Sequence, residues 1–206
     1  MLTRVEASDD GYITKIGTTY SVTDYVVEGG KYSINVYFSS AGIEKRGFKR
    51  FIMDLGGVTI TTATLYWYLV SVDNDGGNTN CKLEQINDYG ILDANATEFT
   101  GTVKHDYGDV MTPSSTAGWY SQDVSAEMEA SKADGYVAFR WRVKSQPATD
   151  DIDYFIGSYD SISYKAYLEI TYTTGWQHEV DSVAPAGTAK INGLVRATGI
   201  AKVNGE

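Results

Sequence analysis

Two runs of the chain concentrate hard oxygen donors: Asp73-Asn74-Asp75-Gly76-Gly77 and Asp150-Asp151-Ile152-Asp153. Calcium takes about six to eight oxygens at short range, so carboxylates one residue apart are the pattern to look for. Asp73 and Asp75 are therefore the candidate ligands of a structural Ca2+. The first run departs from an EF-hand loop, because Gly77 holds the next ligand position and no glutamate closes it. The same residues serve an ordinary Asn/Asp/Gly hairpin turn that needs no ion, and that reading is favoured. No other cofactor is expected.

Groups for nucleophilic or hydrolytic chemistry are sparse. The chain has two histidines, His105 and His178, and they do not form His-x-x-x-His or His-Glu-x-x-His. A zinc hydrolase would need such spacing to place both imidazoles on one helix face. Neither a Gly-x-Ser-x-Gly elbow nor a Gly-Lys-Ser phosphate loop occurs. The single cysteine, Cys81, excludes an internal disulfide. Its alternation with Leu83 predicts a buried, inert thiol. Carboxylates are abundant, but paired-acid glycoside hydrolysis needs two of them about 5–10 Å apart across a cleft. No pair stands out, and the chain is expected not to be an enzyme.

Binding chemistry is better represented. Tyrosine accounts for 16 of the 206 residues, and aromatic residues for 13%. Tyr66 and Tyr68 alternate with Leu65, Trp67 and Leu69. Tyr136, Arg140 and Arg142 alternate with Val137, Phe139 and Trp141. These five residues are the candidate glycan-binding or interface set, since an apolar ring with a polar tip suits either ligand. The competing reading is that both faces are covered by loops or by neighbouring subunits, as aromatic enrichment also marks protein interfaces.

Strands must carry these residues. Period-two alternation runs through 31–38, 48–55, 59–72, 135–144 and 164–172. In the last of these, Tyr164, Ala166, Leu168, Ile170 and Tyr172 share a face. Shorter strands are expected at 11–16, 20–27, 80–86, 119–124 and 154–156. Gly- and Asp-rich clusters separate them. One short helix is expected over 123–131, with Ser125 capping the amides of Glu127 and Met128, and with Val124 and Met128 on one face. Residues 88–115 alternate weakly and are expected to be a long excursion with a strand near 101–104. The predicted fold is all-β: a two-sheet antiparallel, jelly-roll-like β-sandwich with one short helix and a repetitive C-terminal extension. The expected division is an N-terminal arm over 1–8, the sandwich over 9–175 and an assembly tail over 176–206.

The tail holds two copies of one pattern, Val-x-x-x-Gly-x-Ala-Lys-x-Asn-Gly, at a spacing of 12. Lys190 and Asn192 of the first copy match Lys202 and Asn204 of the second. Two copies of small residues bury too little area to fold alone, so another surface is expected to order them. Net charge is −10, which disfavours nucleic acid and anionic membranes as partners.

In the middle of the chain, Phe48-Lys49-Arg50-Phe51-Ile52-Met53-Asp54-Leu55 is followed by Val58-Thr59-Ile60-Thr61-Thr62-Ala63-Thr64-Leu65-Tyr66. Gly118-Trp119-Tyr120-Ser121-Gln122-Asp123-Val124-Ser125, then Gly135-Tyr136-Val137-Ala138-Phe139-Arg140, and Lys165-Ala166-Tyr167-Leu168-Glu169-Ile170-Thr171-Tyr172 come later. In residue pattern and order these segments carry a resemblance to the DNRLRE / disaggregatase-related β-sandwich group, some members of which are classed as carbohydrate-binding modules. The resemblance covers about residues 9–173 and departs at Met53, where Phe is usual, and at Lys165-Ala166, where Arg-Pro is common. It implies the sandwich fold more directly than any sugar site. The tail resembles Ala-Lys-x-Asn-Gly repeats that end some tailed-phage structural proteins.

Together these features point to a non-enzymatic structural or decoration protein of a virion or extracellular surface assembly, anchored through its tail. The alternative is a carbohydrate-binding module or adhesin recognising polysaccharide. Residues 1–6 carry no apolar leader, which fits either a trimmed mature protein or one made in a cytoplasm and released by another route, as virion proteins are. The expected partners are other virion or surface proteins, further copies of the chain in a homo-oligomer, and a host glycan, with no nucleic acid and no membrane insertion.

Overall fold

The computed structural model describes residues 1–174 except Asp54 and Gly56. In chain order its strands are β1 (Leu2–Glu6), β2 (Asp9–Ile16), β3 (Thr19–Thr23), β4 (Val26–Glu28), β5 (Lys31–Ser39), β6 (Glu44–Ile52), β7 (Val58–Asn74), β8 (Cys81–Ile86), β9 (Val103–Met111), β10 (Gly118–Asp123), β11 (Tyr136–Val143), β12 (Asp151–Gly157) and β13 (Tyr167–Thr174). Two short helices interrupt them, α1 (Ala96–Thr100) and α2 (Ser125–Ser131). Every strand pair is antiparallel, and one hydrogen-bonded sheet of 13 strands curls over on itself.

Two strands organise the curl. β7 is long enough to pair β13 along its first half and β12 along its second, while β10 takes its opposite edge. β6 pairs β2 on one edge and β11 on the other. The layers β1-β13-β7-β12-β5 and β3-β2-β6-β11-β8-β9 meet at the β5–β6 hairpin, where only Tyr37↔Lys45 and Phe38↔Glu44 remain paired. Gly47 allows the layers to close there: a Cβ on it would stand 2.8 Å from Ile34 Cδ1.

The inward faces form the main core. Ile34, Leu65, Trp67, Leu69, Tyr154 and Leu168 of the first layer meet Phe51, Leu83, Val137, Phe139, Trp141 and Val143 of the second. Trp67 and Trp141 touch edge to face across the layers at 5.8 Å. Burying side chains of this size contributes about 1.5–3 kcal/mol each. Cys81 is buried in this core, and burial pushes its thiol well up.

Several expectations change. The N-terminal arm is strand β1, paired to β13. The strand expected over 20–27 is split into β3 and β4. The weakly alternating segment contains a second helix, α1, and the nine-residue β9. Helix α2 keeps Val124 and Met128 in the core, but Ser125 does not cap it. Its hydroxyl accepts the Ala63 N–H at 2.9 Å, while Asp123 Oδ1 accepts the Ser125 N–H. The edge of β7 thus takes the hydroxyl that local spacing assigned to the helix. Tyr164 leaves its predicted face because β13 starts only at Tyr167, and alternation has no meaning before the strand begins. Alternation in β7 also slips at Val70, which is buried, where the pairing with β12 shifts register.

Candidate functional site

The outer face of the first layer carries a strip of aromatic rings. Strand register places them. Trp119 lies opposite Tyr68, and Tyr66 lies between Ser121 and Tyr167, with Glu6 completing the row. Tyr66 and Tyr167 stack at 4.7 Å with their planes 14° apart. Trp119 meets Tyr68 and Tyr167 edge-on, each at 5.5 Å. Tyr164, from the β12–β13 connection, lies 4.2 Å from Tyr68.

Cations border the strip. The Arg4 guanidinium lies 3.7 Å over the Tyr167 ring and pairs with Glu6. Lys31 stands 5.3 Å from Tyr164. Burial among these groups raises the Tyr167 phenol, and Arg4 opposes the shift. Trp119 remains 46% exposed although the Tyr68 and Tyr167 rings both pack on it. An indole held by neighbours and open to solvent on its free side loses little freedom on binding, which is what a recognition surface requires.

The outer face of the second layer is different. Ile13, Phe48, Ile86 and Ala138 form a second apolar cluster there, closed by Phe99 of α1 and by Tyr89 and Leu92. Arg140 is buried under this cover. Its Nε and Nη2 both bond Glu84 Oε2, at 2.9 and 2.6 Å, and Nη1 donates to the carbonyls of Phe99 and Gly101. Arg46 also reaches the Phe99 carbonyl, at 2.6 Å. Two guanidinium groups thus satisfy the carbonyl end of α1. Arg142 bonds the other oxygen of Glu84 at 2.8 Å. Tyr136 is half-buried, with the Arg50 guanidinium 5.6 Å from its ring. Burial pushes the Glu84 carboxyl up, but Arg140 and Arg142 outweigh it and leave the group below its ordinary value.

Of the five candidate binding residues, the structure brings Tyr66 and Tyr68 together on one face. It places Tyr136, Arg140 and Arg142 on the other side of the sandwich, with Arg140 engaged internally. Sequence reasoning did not select Trp119, Tyr164 or Tyr167 for the site. Each was legible as an aromatic residue in or beside a strand, but only cross-strand register joins them to Tyr66 and Tyr68.

The two oxygen-rich runs do converge. Asp153 faces Asp73 across β12 and β7, and the Asp75 N–H donates to the Asp151 carbonyl at 3.2 Å. In the second run, the Asp151 and Asp153 side chains are taken up locally. Asp151 accepts the Tyr37 hydroxyl at 2.6 Å and the Ser40 N–H, and Asp153 accepts the Asn35 amide at 2.8 Å. Burial, followed by the Asp151 bond, pushes the Tyr37 phenol up to about 12. Asn74 Oδ1 accepts the Gly76 N–H, which makes the first run an Asx turn. Among the described residues no group of three or more His, Cys, Asp or Glu side chains is arranged to hold a metal ion.

His105 lines an open cleft with Tyr107, Asp123, Ser125 and Glu127. Its Nδ1 lies 3.1 Å from Glu127 Oε1. The Ser125 hydroxyl in that cleft is held by Asp123 and Ala63. His178 and the tail residues Lys190, Asn192, Lys202 and Asn204 lie outside the described residues. No helix among the described residues is long and apolar enough to cross a membrane. No protein-family model matches the chain, and no curated protein sequence matches it.

Proposed function

We propose that the protein is a non-catalytic β-sandwich of a virion or extracellular surface assembly, held in place through its tail, and that it contacts polysaccharide through the strip of Tyr66, Tyr68, Trp119, Tyr164 and Tyr167. The observation that carries this reading is the half-exposed Trp119 ring, held on one side by other aromatics and open on the other. Sugar rings present flat C–H faces that pack on such rings, and Arg4 and Lys31 supply hydrogen-bond donors at the border. The resemblance to a group with carbohydrate-binding members, together with the repeat shared by Lys190, Asn192, Lys202 and Asn204, supports the same assignment from the sequence side.

A glycan array probed with the full chain tests the reading. Binding is expected to at least one polysaccharide, and Trp119→Ala and Tyr167→Ala are expected to weaken it while the fold is retained. A folded protein that binds no polysaccharide on the array overturns the glycan assignment. Loss of a defined oligomer in those same variants, measured by light scattering, would instead assign the strip to a subunit interface.

A further inference from the structure

Asp10 of β2 and Lys49 of β6 are direct cross-strand partners. Their side chains are 2% and 0% exposed, and Lys49 Nζ stands 2.5 Å from Asp10 Oδ2. Nζ also donates to the Gly157 carbonyl at 2.7 Å. Asp10 Oδ1 accepts the Ser158 hydroxyl at 3.1 Å, and Oδ2 accepts the Tyr159 N–H at 2.5 Å. An amine from β6 and a carboxyl from β2 are thus fixed against each other by three groups of one segment, 157–159. Phe139 is the cross-strand neighbour of Lys49 on its other side.

We propose that this pair is a self-modification site at which Lys49 Nζ and Asp10 Cγ condense into an intramolecular amide. The ammonium and carboxylate together contain the atoms of the amide plus one water, so no co-reactant is required. One proton passes from Nζ to Oδ2 along their hydrogen bond, leaving a neutral amine and a carboxylic acid. The Nζ lone pair then attacks Cγ. Charge develops on Oδ1, where the Ser158 hydroxyl donates, in the manner of an oxyanion hole. The second Nζ proton and Oδ2 leave as water, and the third proton stays on the amide nitrogen, bonded to the Gly157 carbonyl. Fixed contact replaces the encounter that makes the reaction slow between free groups. Exclusion from solvent removes the bulk water that would solvate the two charges.

The link would serve a purpose the cysteine content leaves unfilled. With Cys81 as the single cysteine there is no internal disulfide. An amide from β2 to β6 would close residues 10–49 into a covalent loop and restrict the unfolded chain as a disulfide does.

Mass spectrometry of the full chain tests the proposal independently of any ligand. The intact mass is expected to be one water below the sequence mass. Trypsin is expected to release peptide 5–15 joined to peptide 47–50, identified by fragmentation. Lys49→Arg, which keeps the cation, is expected to restore the full mass. Peptide 5–15 recovered unlinked, with cleavage after Lys49 giving peptide 47–49, would overturn the proposal, as would a water lost within peptide 5–15 alone through a succinimide at Asp10-Gly11.

Discussion

On β7, Tyr66 and Tyr68 alternate with core residues; on β11, Tyr136, Arg140 and Arg142 do the same. The local pattern is equivalent, yet the first pair belongs to a partly open aromatic strip while Arg140 is shut beneath a helix. The difference lies in what crosses each face. Residues 87–102 lay Tyr89, Leu92 and Phe99 over β2, β6, β11 and β8, and nothing comparable among the described residues covers Trp119. A charged residue on a covered face must be paired and hydrogen-bonded, and Arg140, Glu84 and Arg142 are. An aromatic residue on an open face need only be held, and ring contacts hold it.

The contrast can be broken most forcefully at Arg140. Arg140→Ala leaves Glu84 buried with half its partners gone and α1 without one of its caps. A loss of about 3–5 kcal/mol is expected in urea unfolding. Phe99→Ala removes the plug of the second cluster, and roughly 3 kcal/mol is expected to go with it. If either variant unfolds like the unmodified protein, the cover is not what stabilises this face.

Acid should also distinguish the faces. Glu84 titrates below its ordinary value of 4.5, because Arg140 and Arg142 outweigh the effect of burial. A depressed carboxyl contributes stability that is fully present above the unfolded value and is lost as pH falls through the folded one. Stability is therefore expected to fall below about pH 4.5, and Glu84→Gln is expected to flatten that limb of the curve while lowering the neutral-pH plateau. Trp119→Ala should leave the limb unchanged, and an altered limb would mean that the two faces are coupled.

On the open face the expected loss is in binding. Trp119→Ala should weaken polysaccharide binding roughly tenfold and change folding stability by about 1 kcal/mol or less, read from titration and melting of the same sample. A large stability loss without a binding change would make the indole a packing residue. The smallest effect is expected at the rim. Lys144→Ala removes an exposed pair with Asp109 and should cost under about 1 kcal/mol, since water screens such pairs.

Much of the fold was legible from alternation. The long run around Trp67 and the run around Trp141 gave their core faces directly, because period two is a local property of an extended backbone. Helix α2 could be placed by its lack of β-branched runs. Helix α1 and strand β9 were hidden. α1 has only five residues, too few for a period. β9 breaks register with β8 at three places, which blurs its alternation. The site was half legible: the alternation that exposes Tyr66 and Tyr68 is local, whereas their neighbours come from β10, β13 and the loop before it.

Taken alone, the sequence determined that the chain is all-β, which residues of its long strands turn inward, that Cys81 has no partner cysteine, and that the end of the chain repeats. The tertiary structure decided which outer face stays open, that Arg140 is a buried brace under α1, that Trp119 and Tyr167 stand with Tyr66 and Tyr68, and that Lys49 meets Asp10. The physical reason is range. Alternation is set by each residue's own backbone, whereas register, coverage and the pairing of buried charges depend on segments distant along the chain, which meet only when the sheet curls closed.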